Sequence, residues 1–274
     1  MIIVSAATGQ FGRLAVDRVL DRVPATEVAV VVRDVTKAHD MVVRGVDVRH
    51  ADYDDSSSLR GAFDGADALL FISSPDIDSG QRVEQHRRVI QAAGDANVTR
   101  IVYTSGLGAD VVEEGVLGEH HATELLLAES GVLHTVLRHP IYSEFFLNPG
   151  LLAAVEAGEL TSSTNGRGMN TATRADLAEA AAVVLTESAS ADSYDFTGVL
   201  WTYPELATVL SDISGRPVRY REVDGDEGFM TMIGPAIRSG AFELQTGDLQ
   251  RVLERPPASL RSVVAGAVRH SAAV

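Results

Sequence analysis

The chain has 274 residues, 45% of them hydrophobic and 22% charged, which is typical of a globular protein with a sizeable core. Its formal net charge of −15 would repel a phosphate backbone, so nucleic acid is not expected as a partner. The absence of cysteine excludes disulfides and cysteine-based metal sites. No signal-like start or long apolar run is present, and we therefore expect a soluble, cytoplasmic protein without a membrane partner.

The first half of the chain alternates short apolar runs with amphipathic stretches. Strands are predicted at residues 2–4, 28–32, 46–48, 68–72, 101–103 and 135–137, with helices at 14–20, 83–93 and around 125–127. This βαβ spacing predicts an α/β fold, a Rossmann-like doubly wound parallel sheet with helices on both faces. A ligand is then expected at the carboxyl ends of the strands.

The pattern becomes less regular after Pro149. Helices are predicted at 151–157, 176–185 and 203–214, a polar loop at 162–168, and short strands at 194–196 and 218–223. The remaining helices are interrupted by Gly234-Pro235 and Pro256-Pro257. We therefore predict a nucleotide-binding core over residues 1–150 and a small, irregular, substrate-binding C-terminal part over 151–274, packed on the core as one compact unit.

A glycine-containing turn separates the first strand from the first helix. It reads Ala6-Ala7-Thr8-Gly9-Gln10-Phe11-Gly12. Backbone N–H groups at the helix start would face a pyrophosphate, with Gly9 allowing close approach of the dinucleotide and Gly12 close helix-to-strand packing. Thr8 could add a hydroxyl donor. The usual first glycine is replaced by Ala6, whose methyl group could crowd the turn or the cofactor; the alternative is a plain βα turn with glycines for packing.

Arg33 closes the second predicted strand, about 20 residues beyond the glycines, where proteins that prefer NAD carry an acidic residue. Its planar guanidinium can hold the 2′-phosphate of NADP(H), which an acidic residue would repel. The sequence therefore favours NADPH/NADP as the cofactor. The alternative is a solvated surface charge paired with Asp34.

Further short motifs follow in order along the chain. They are Val32-Arg33-Asp34, Ala51-Asp52-Tyr53-Asp54-Asp55, Ile72-Ser73-Ser74, Gln85-His86-Arg87, Tyr103-Thr104-Ser105, Glu119-His120, Leu137-Arg138, Tyr142-Ser143-Glu144 and Ala172-Thr173-Arg174-Ala175-Asp176. Together with the turn they resemble the NmrA-like branch of the atypical short-chain dehydrogenase/reductases, in particular its NADPH-dependent quinone oxidoreductase type. The likeness extends over about residues 1–220.

The resemblance implies a set of cofactor contacts. Asp52 and Tyr53 would lie near the adenine, the Ser73-Ser74-Pro75 segment beside the nicotinamide-side ribose, and residues 137–142 along the nicotinamide. The implied set also includes Thr104, Ser105, Arg138, Pro140, Ile141, Tyr142 and Arg174. From the residues alone, Asp52 could equally cap the next turn, with Ser56 or Ser57 capping the following helix.

The catalytic Tyr-x-x-x-Lys pair of typical short-chain dehydrogenases is missing, since Lys37 is the only lysine in the chain. Quinones accept hydride readily and need little acid assistance, so their reduction is compatible with this omission. By analogy, His120 or Tyr142 would donate the proton. The alternative for His120 is a solvated pair with His121, and the alternative for Tyr142 is packing under the C-terminal part. His86 is expected on an exposed helix face without a function. No metal site is expected.

The sequence thus predicts an NADPH-dependent reductase of quinones or similar electrophilic carbonyl compounds. A non-catalytic NADP(H) sensor is the second hypothesis, favoured by Ala6 and the missing pair, and an isomerase or lyase is the third. The apolar Val132 and Val136, together with residues of the C-terminal part, would suit a homodimer. An anionic substrate would require Arg138 or Arg174 to offset the acidic surface.

Overall fold

The computed structural model describes residues 1–77, 80–187 and 191–271, with side chains up to residue 269. The strands are β1 (Ile2–Ser5), β2 (Val28–Val32), β3 (Asp47–His50), β4 (Ala68–Phe71), β5 (Arg100–Gly106), β6 (Leu133–His139), β7 (Ile141–Tyr142), β8 (Glu159–Ser162), β9 (Met169–Ala172), β10 (Ser193–Asp195), β11 (Val199–Trp201) and β12 (Arg219–Glu222). The α-helices are α1 (Gln10–Leu20), α2 (His39–Val43), α3 (Ser56–Leu59), α4 (Arg82–Asp95), α5 (Gly115–Glu129), α6 (Leu151–Ala157), α7 (Arg174–Thr186), α8 (Tyr203–Ser214), α9 (Met230–Arg238), α10 (Asp248–Leu253) and α11 (Leu260–Ser271).

A seven-stranded parallel sheet is the framework of the first half of the chain. Its strand order is β10-β6-β5-β4-β1-β2-β3, so the chain reverses direction across the sheet between β1 and β4. Because right-handed crossovers in opposite directions place their helices on opposite faces, α1 and α4 flank the sheet from both sides. The predicted Rossmann-like α/β fold is confirmed, and its ligand crevice is expected at the carboxyl ends of β1 and β4.

The central strands are apolar because helices cover both faces of the sheet. All five residues of β2 are buried, as are all four of β4. Ile3, Leu69, Phe71 and Tyr103 are fully buried in the main core. The edge strand β3, with sequence Asp-Val-Arg-His, is only partly buried, and this explains its weaker signal in the sequence.

The chain divides into two units at positions that differ from the boundary predicted at residue 150. The first unit contains residues 1–139 and 174–196, and the second contains 140–173 and 197–274. The segment 174–196 returns to the first unit because β10 pairs in parallel with β6 and α7 packs against α1. The Arg100 guanidinium adds to this attachment, since it donates to the carbonyl oxygens of Val184 and Leu185 at the end of α7.

The second unit has its own core and two small sheets. One sheet has the order β11-β9-β7, and the other pairs β12 with β8 in parallel. Trp201, Leu206, Leu210 and Ile237 lie at the centre of its core. The predicted helices at 151–157 and 203–214 are confirmed, whereas β9 and β11 were missed because each is only three or four residues long.

Across the described residues, none of the helices is both long and apolar enough to span a bilayer. Nor do three or more histidine, aspartate or glutamate side chains of these residues converge on a point that could hold a metal ion.

Candidate functional site

The turn after β1 brings the start of α1 very close to the backbone of the preceding residues. A Cβ atom at Gly12 would lie 2.4 Å from the carbonyl oxygen of Ala6 and 2.8 Å from the Cα of Ala7, so this position accepts only glycine. Gly9 and Gln10 are exposed, and α1 has neither a side-chain cap nor an acidic residue in its first turn. The first N–H groups of α1 are therefore available to an anion.

Ala6 occupies the left-handed region of backbone conformation, with φ 49°. Its carbonyl oxygen accepts a hydrogen bond of 3.1 Å from the N–H of Gly9, which closes the turn. A side chain in this region costs about 1–2 kcal/mol, whereas glycine adopts it freely. The replacement of the usual glycine is thus a source of strain within the turn itself.

Arg33 is exposed immediately after β2, at the position predicted for 2′-phosphate binding. The neighbouring Asp34 accepts hydrogen bonds from the N–H and hydroxyl of Thr36 and forms an ion pair with Lys37, which lowers the pKa of its carboxyl group. The alternative pairing of Arg33 with Asp34 is therefore wrong. In the described part of the chain Arg33 has no ion pair, so its guanidinium is available to a ligand.

Asp52 caps its own turn, which was the alternative to a contact with adenine. Its Oδ1 accepts from the N–H of Asp54 at 3.1 Å, and its N–H donates to the hydroxyl of Ser58. The cap of α3 is Asp55, through the N–H of Ser57, so the expectation of a cap at Ser56 or Ser57 was wrong. The Asp52 contact with adenine stays a prediction.

Tyr53 points into the core between the ends of β1 and β4. Its hydroxyl lies 2.6 Å from Ser5 Oγ and 3.0 Å from the carbonyl oxygen of Ile72, and burial raises its pKa. Ser5 Oγ also accepts from the N–H of Ile72. This hydrogen-bond cluster supports the strand ends from below, and a contact of Tyr53 with adenine stays a prediction.

The loop after β4, residues 72–75, is held by side chains of neighbouring elements. The N–H of Ser73 donates to Thr104 Oγ1 at 3.0 Å, and the N–H of Ser74 donates to His86 Nε2 at 2.9 Å. Pro75 is exposed. The hydroxyl of Ser105 donates to Glu124 at 2.6 Å. The predicted cofactor residues of β4 and β5 therefore lie together at the carboxyl edge of the sheet.

His86 is fully buried, and the expectation of an exposed helix face was wrong. It shares the inner face of α4 with Val89, Ile90 and Ala93, which follow it by three, four and seven residues. That helical period is present in the sequence, but the adjacent Arg87 and Arg88 led to the prediction of an exposed face.

His120 is buried between two polar side chains rather than solvated at a helix end. Its Nε2 lies 2.9 Å from Arg82 Nη2 and its Nδ1 lies 2.8 Å from the hydroxyl of Tyr103. Arginine only donates, so Nε2 accepts and Nδ1 carries the proton. Burial and the Arg82 charge hold the pKa of His120 well below 6.5, and its single proton is used internally. A catalytic role for His120 stays a prediction that this geometry does not favour.

Arg138 ties β6 to its neighbours. It donates to Glu124 through Nε and Nη2 and to Asp195 through Nη1, while Asp110 lies 3.5 Å away. These partners raise its pKa, chiefly through Glu124. With three carboxylates around it, Arg138 does not offset the acidic surface for an anionic substrate. Arg174 is the first residue of α7.

His139, at the end of β6, was not predicted as a site residue. Its ring lies 5.3 Å from that of Phe11 in the turn and 5.9 Å from that of Phe196, and burial lowers its pKa to about 3. No sequence signal distinguished it from the apolar residues around it. It packs as a neutral aromatic ring beneath the turn.

The remaining predicted residues belong to the second unit. Pro140 is buried, and the short strand of Ile141 and Tyr142 pairs with β9. The ring of Tyr142 is parallel to that of Phe145 within 6°, and Phe145 stacks in turn on Phe229 at 5.3 Å. The unit thus presents three near-parallel aromatic rings.

Comparisons with known proteins identify the family to which the chain belongs. A family model described as NAD(P)H-binding matches residues 6–188. Quinone oxidoreductase 2 of Escherichia coli strain K12 is 40% identical over 225 residues, which cover 81% of this chain and 78% of that protein. The structure of Citrobacter sp. triphenylmethane reductase complexed with NADP(H) has a TM-score of 0.92 at 35% identity, covering 97% of this chain and all of that one. The NADPH complex of the Escherichia coli quinone oxidoreductase has a TM-score of 0.87 at 34% identity, with 99% of each chain covered.

Substitutions at two positions of the turn should change the free energy of unfolding in opposite directions. Ala6→Gly should raise the free energy of unfolding by about 1 kcal/mol, because glycine removes the left-handed strain. Gly12→Ala should lower it by about 3 kcal/mol, since the added Cβ meets backbone atoms. Urea denaturation of both variants beside the parent measures these changes. Destabilisation by Ala6→Gly would contradict the strained turn.

The buried histidines predict acid sensitivity. In the folded state the pKa values of His86 and His139 are lowered to about 3 and that of His120 well below 6.5, whereas in the unfolded chain all three titrate near 6.5. Unfolding therefore takes up protons below pH 6.5, and stability should fall as the pH falls. His86 and His139 together contribute about 3 kcal/mol per pH unit near pH 5, and His120 acts in the same direction.

Urea denaturation at pH 7, 6 and 5 measures this slope. His139→Phe should reduce it by about 1.4 kcal/mol per pH unit, while the exposed His39→Gln should leave it unchanged. Equal slopes for the parent and His139→Phe would show that His139 is not held neutral.

Proposed function

The chain belongs to the NAD(P)H-binding family, and from this we propose that it is an NADPH-dependent oxidoreductase that reduces quinones or similar electrophilic carbonyl compounds by hydride transfer. The observation that carries the proposal is the N-terminus of α1, which has no side-chain cap, beside a Gly12 that admits no side chain. At the next strand end lies Arg33, which forms no ion pair with the residues that the structure describes. The names of its relatives, a quinone oxidoreductase and a triphenylmethane reductase, support the same chemistry.

The residues present fit NADP(H). The N–H groups at the start of α1, with the Thr8 hydroxyl, would hold the pyrophosphate, and Arg33 would hold the 2′-phosphate. Gly12 lets the start of α1 pack closely on the backbone of Ala6 and Ala7, as a dinucleotide-binding turn requires. When bound, the reduced nicotinamide supplies the hydride.

Proton supply places little demand on the protein. Reduction of a quinone consumes one hydride and one proton, and the product is the hydroquinone. The quinol oxygen is basic enough to take its proton from water or from one exposed hydroxyl. His120 is neutral with its proton engaged, whereas Tyr142 is partly exposed, so we propose Tyr142 rather than His120 as the assisting acid.

The aromatic rings of the second unit support a planar substrate. Phe145 is 51% exposed and Phe229 is 41% exposed, and their ring planes are within 17° of each other. Asp226, three residues before Phe229, is bound by both Nη atoms of Arg238 and by the hydroxyl of Ser163. The rings are therefore preorganised, and electron-poor quinones or dyes stack favourably on such surfaces.

A non-catalytic NADP(H) sensor is the alternative. The missing Tyr-x-x-x-Lys pair favours it, since a protein that only binds the cofactor does not need a catalytic acid. Measurement of NADPH oxidation in the presence of a quinone distinguishes the two functions.

Cofactor use is tested by NADPH titration followed by addition of 1,4-benzoquinone while NADPH oxidation is recorded. Arg33→Glu should raise the Kd for NADPH about 10–100-fold, because a charge-assisted hydrogen bond is replaced by repulsion, with little change for NADH. The matched control is Arg219→Glu, an exposed position in the second unit.

Each outcome of this titration discriminates between functions. Quinone-dependent oxidation supports the reductase, and tight binding without turnover supports the sensor. Conversion of a carbonyl compound with no net NADPH consumption would indicate the isomerase or lyase. Absence of NADPH binding would refute the proposed cofactor.

The stacking surface makes a separate prediction. Phe229→Ala should lower kcat/KM for a naphthoquinone about tenfold and leave the Kd for NADPH unchanged, because in the proposed function the ring stacks on the acceptor and takes no part in cofactor binding. Steady-state kinetics with the Phe229→Leu control separate the loss of stacking from the loss of apolar area. An unchanged kcat/KM in both variants would exclude the rings from the substrate site.

We further propose a cytoplasmic location, which fits a cysteine-free chain that depends on NADPH. The structure weakens the case for the homodimer, because Val136 lies in the core and, of the two valines, only Val132 is partly exposed. Light scattering of the purified protein measures its oligomeric state.

A further inference from the structure

The loop after β4 is fixed from inside the protein by two buried acceptors. Two successive backbone N–H groups, those of Ser73 and Ser74, donate to Thr104 and His86 respectively. Thr104 lies on β5 and His86 on α4, so two separate elements hold the same two residues. Neither acceptor is used by the proposed hydride transfer.

The hydrogen bonds of His86 determine where its proton lies. Nε2 accepts from the N–H of Ser74, so the proton is on Nδ1. Nδ1 lies 2.8 Å from Thr123 Oγ1 and donates to it, and the Thr123 hydroxyl donates to the carbonyl oxygen of Glu119 at 2.8 Å. A continuous chain of hydrogen bonds therefore runs from the loop through α4 to the backbone of α5.

The surroundings keep this arrangement rigid and uncharged. His86 and Thr123 are each 0% exposed, and the imidazole contacts the rings of Phe71 at 5.1 Å and Tyr103 at 5.7 Å. Burial, together with the Arg82 charge, lowers the pKa of His86 to about 3. The ring is thus a neutral acceptor with a single tautomer throughout the physiological range.

We propose that His86 is a positioning residue which, through the Ser74 N–H and the Thr123 hydroxyl, fixes the loop after β4 as the floor of the cofactor site. The inference rests on the proposed function, since contact of Ser73, Ser74 and Pro75 with the cofactor is itself a proposal. His86 acts through the loop and touches neither cofactor nor substrate.

Removal of the His86 Nε2 acceptor should therefore weaken cofactor binding more than it slows hydride transfer. Without Nε2 the buried N–H of Ser74 has no hydrogen-bond acceptor, unless the loop moves to find another one. His86→Phe keeps the ring packing but removes the acceptor. His86→Gln restores a carbonyl acceptor at similar reach and a donor for Thr123.

The experiment measures the Kd for NADPH, kcat at saturating NADPH, the melting temperature, and hydrogen–deuterium exchange of the peptide covering residues 69–77. We expect His86→Phe to raise the Kd about tenfold, to leave kcat within about threefold and to accelerate exchange in that peptide. His86→Gln should recover most of the affinity. The matched control is Val89→Ala, three residues further along the buried face of α4, which should lower the melting temperature without changing the Kd.

A fall in melting temperature with the Kd and loop exchange unchanged would overturn the inference, because His86 would then only fill space. If His86→Phe does not fold, Thr123→Val provides the second test: it removes the partner of Nδ1 and should raise the Kd about threefold, and an unchanged Kd counts against the inference. Failure of the parent protein to bind NADPH would instead refute the proposed function.

Discussion

The candidate site depends on the contact between Gly12 and the backbone of Ala6 and Ala7. It lets the first helix begin directly after the central strand, so that the N-terminus of α1 lies at the crevice where the strand order reverses. Every other site residue of the first unit is placed relative to this point, since the ends of β2, β4 and β5 are in register with β1 through a continuous parallel ladder.

The end of β4 and the loop that follows it are supported by neutral hydrogen bonds. Tyr53 and Ser5 hold the end of β4, and Thr104 and His86 hold the loop that follows it. In a chain with a net charge of −15, carboxylates beneath the site would repel a phosphorylated cofactor. Neutral donors and acceptors give the same rigidity without that repulsion, and Arg33 is the charged residue proposed to bind the ligand.

The fold and the cofactor turn were predictable because their signals are local. Apolar runs of buried parallel strands and a glycine-bearing turn are properties of a few adjacent residues. The return of residues 174–196 to the first sheet was not predictable, because it depends on the pairing of β10 with β6 across more than fifty residues. The environments of His120 and His139 were equally hidden, since whether such a histidine is solvated or buried is decided by tertiary contacts.

The path of the chain between its two units limits how this protein could acquire a new substrate. Residues 140–173 form an insertion and residues 197–274 a tail, with an edge strand of the large sheet and α7 encoded between them. A single crossover that replaced everything after residue 150 would discard β10 and the partner of α1 together with most of the second unit. Recombination that preserves the nucleotide core therefore requires two exchanges, and stepwise change at individual positions is the more accessible route to new specificity.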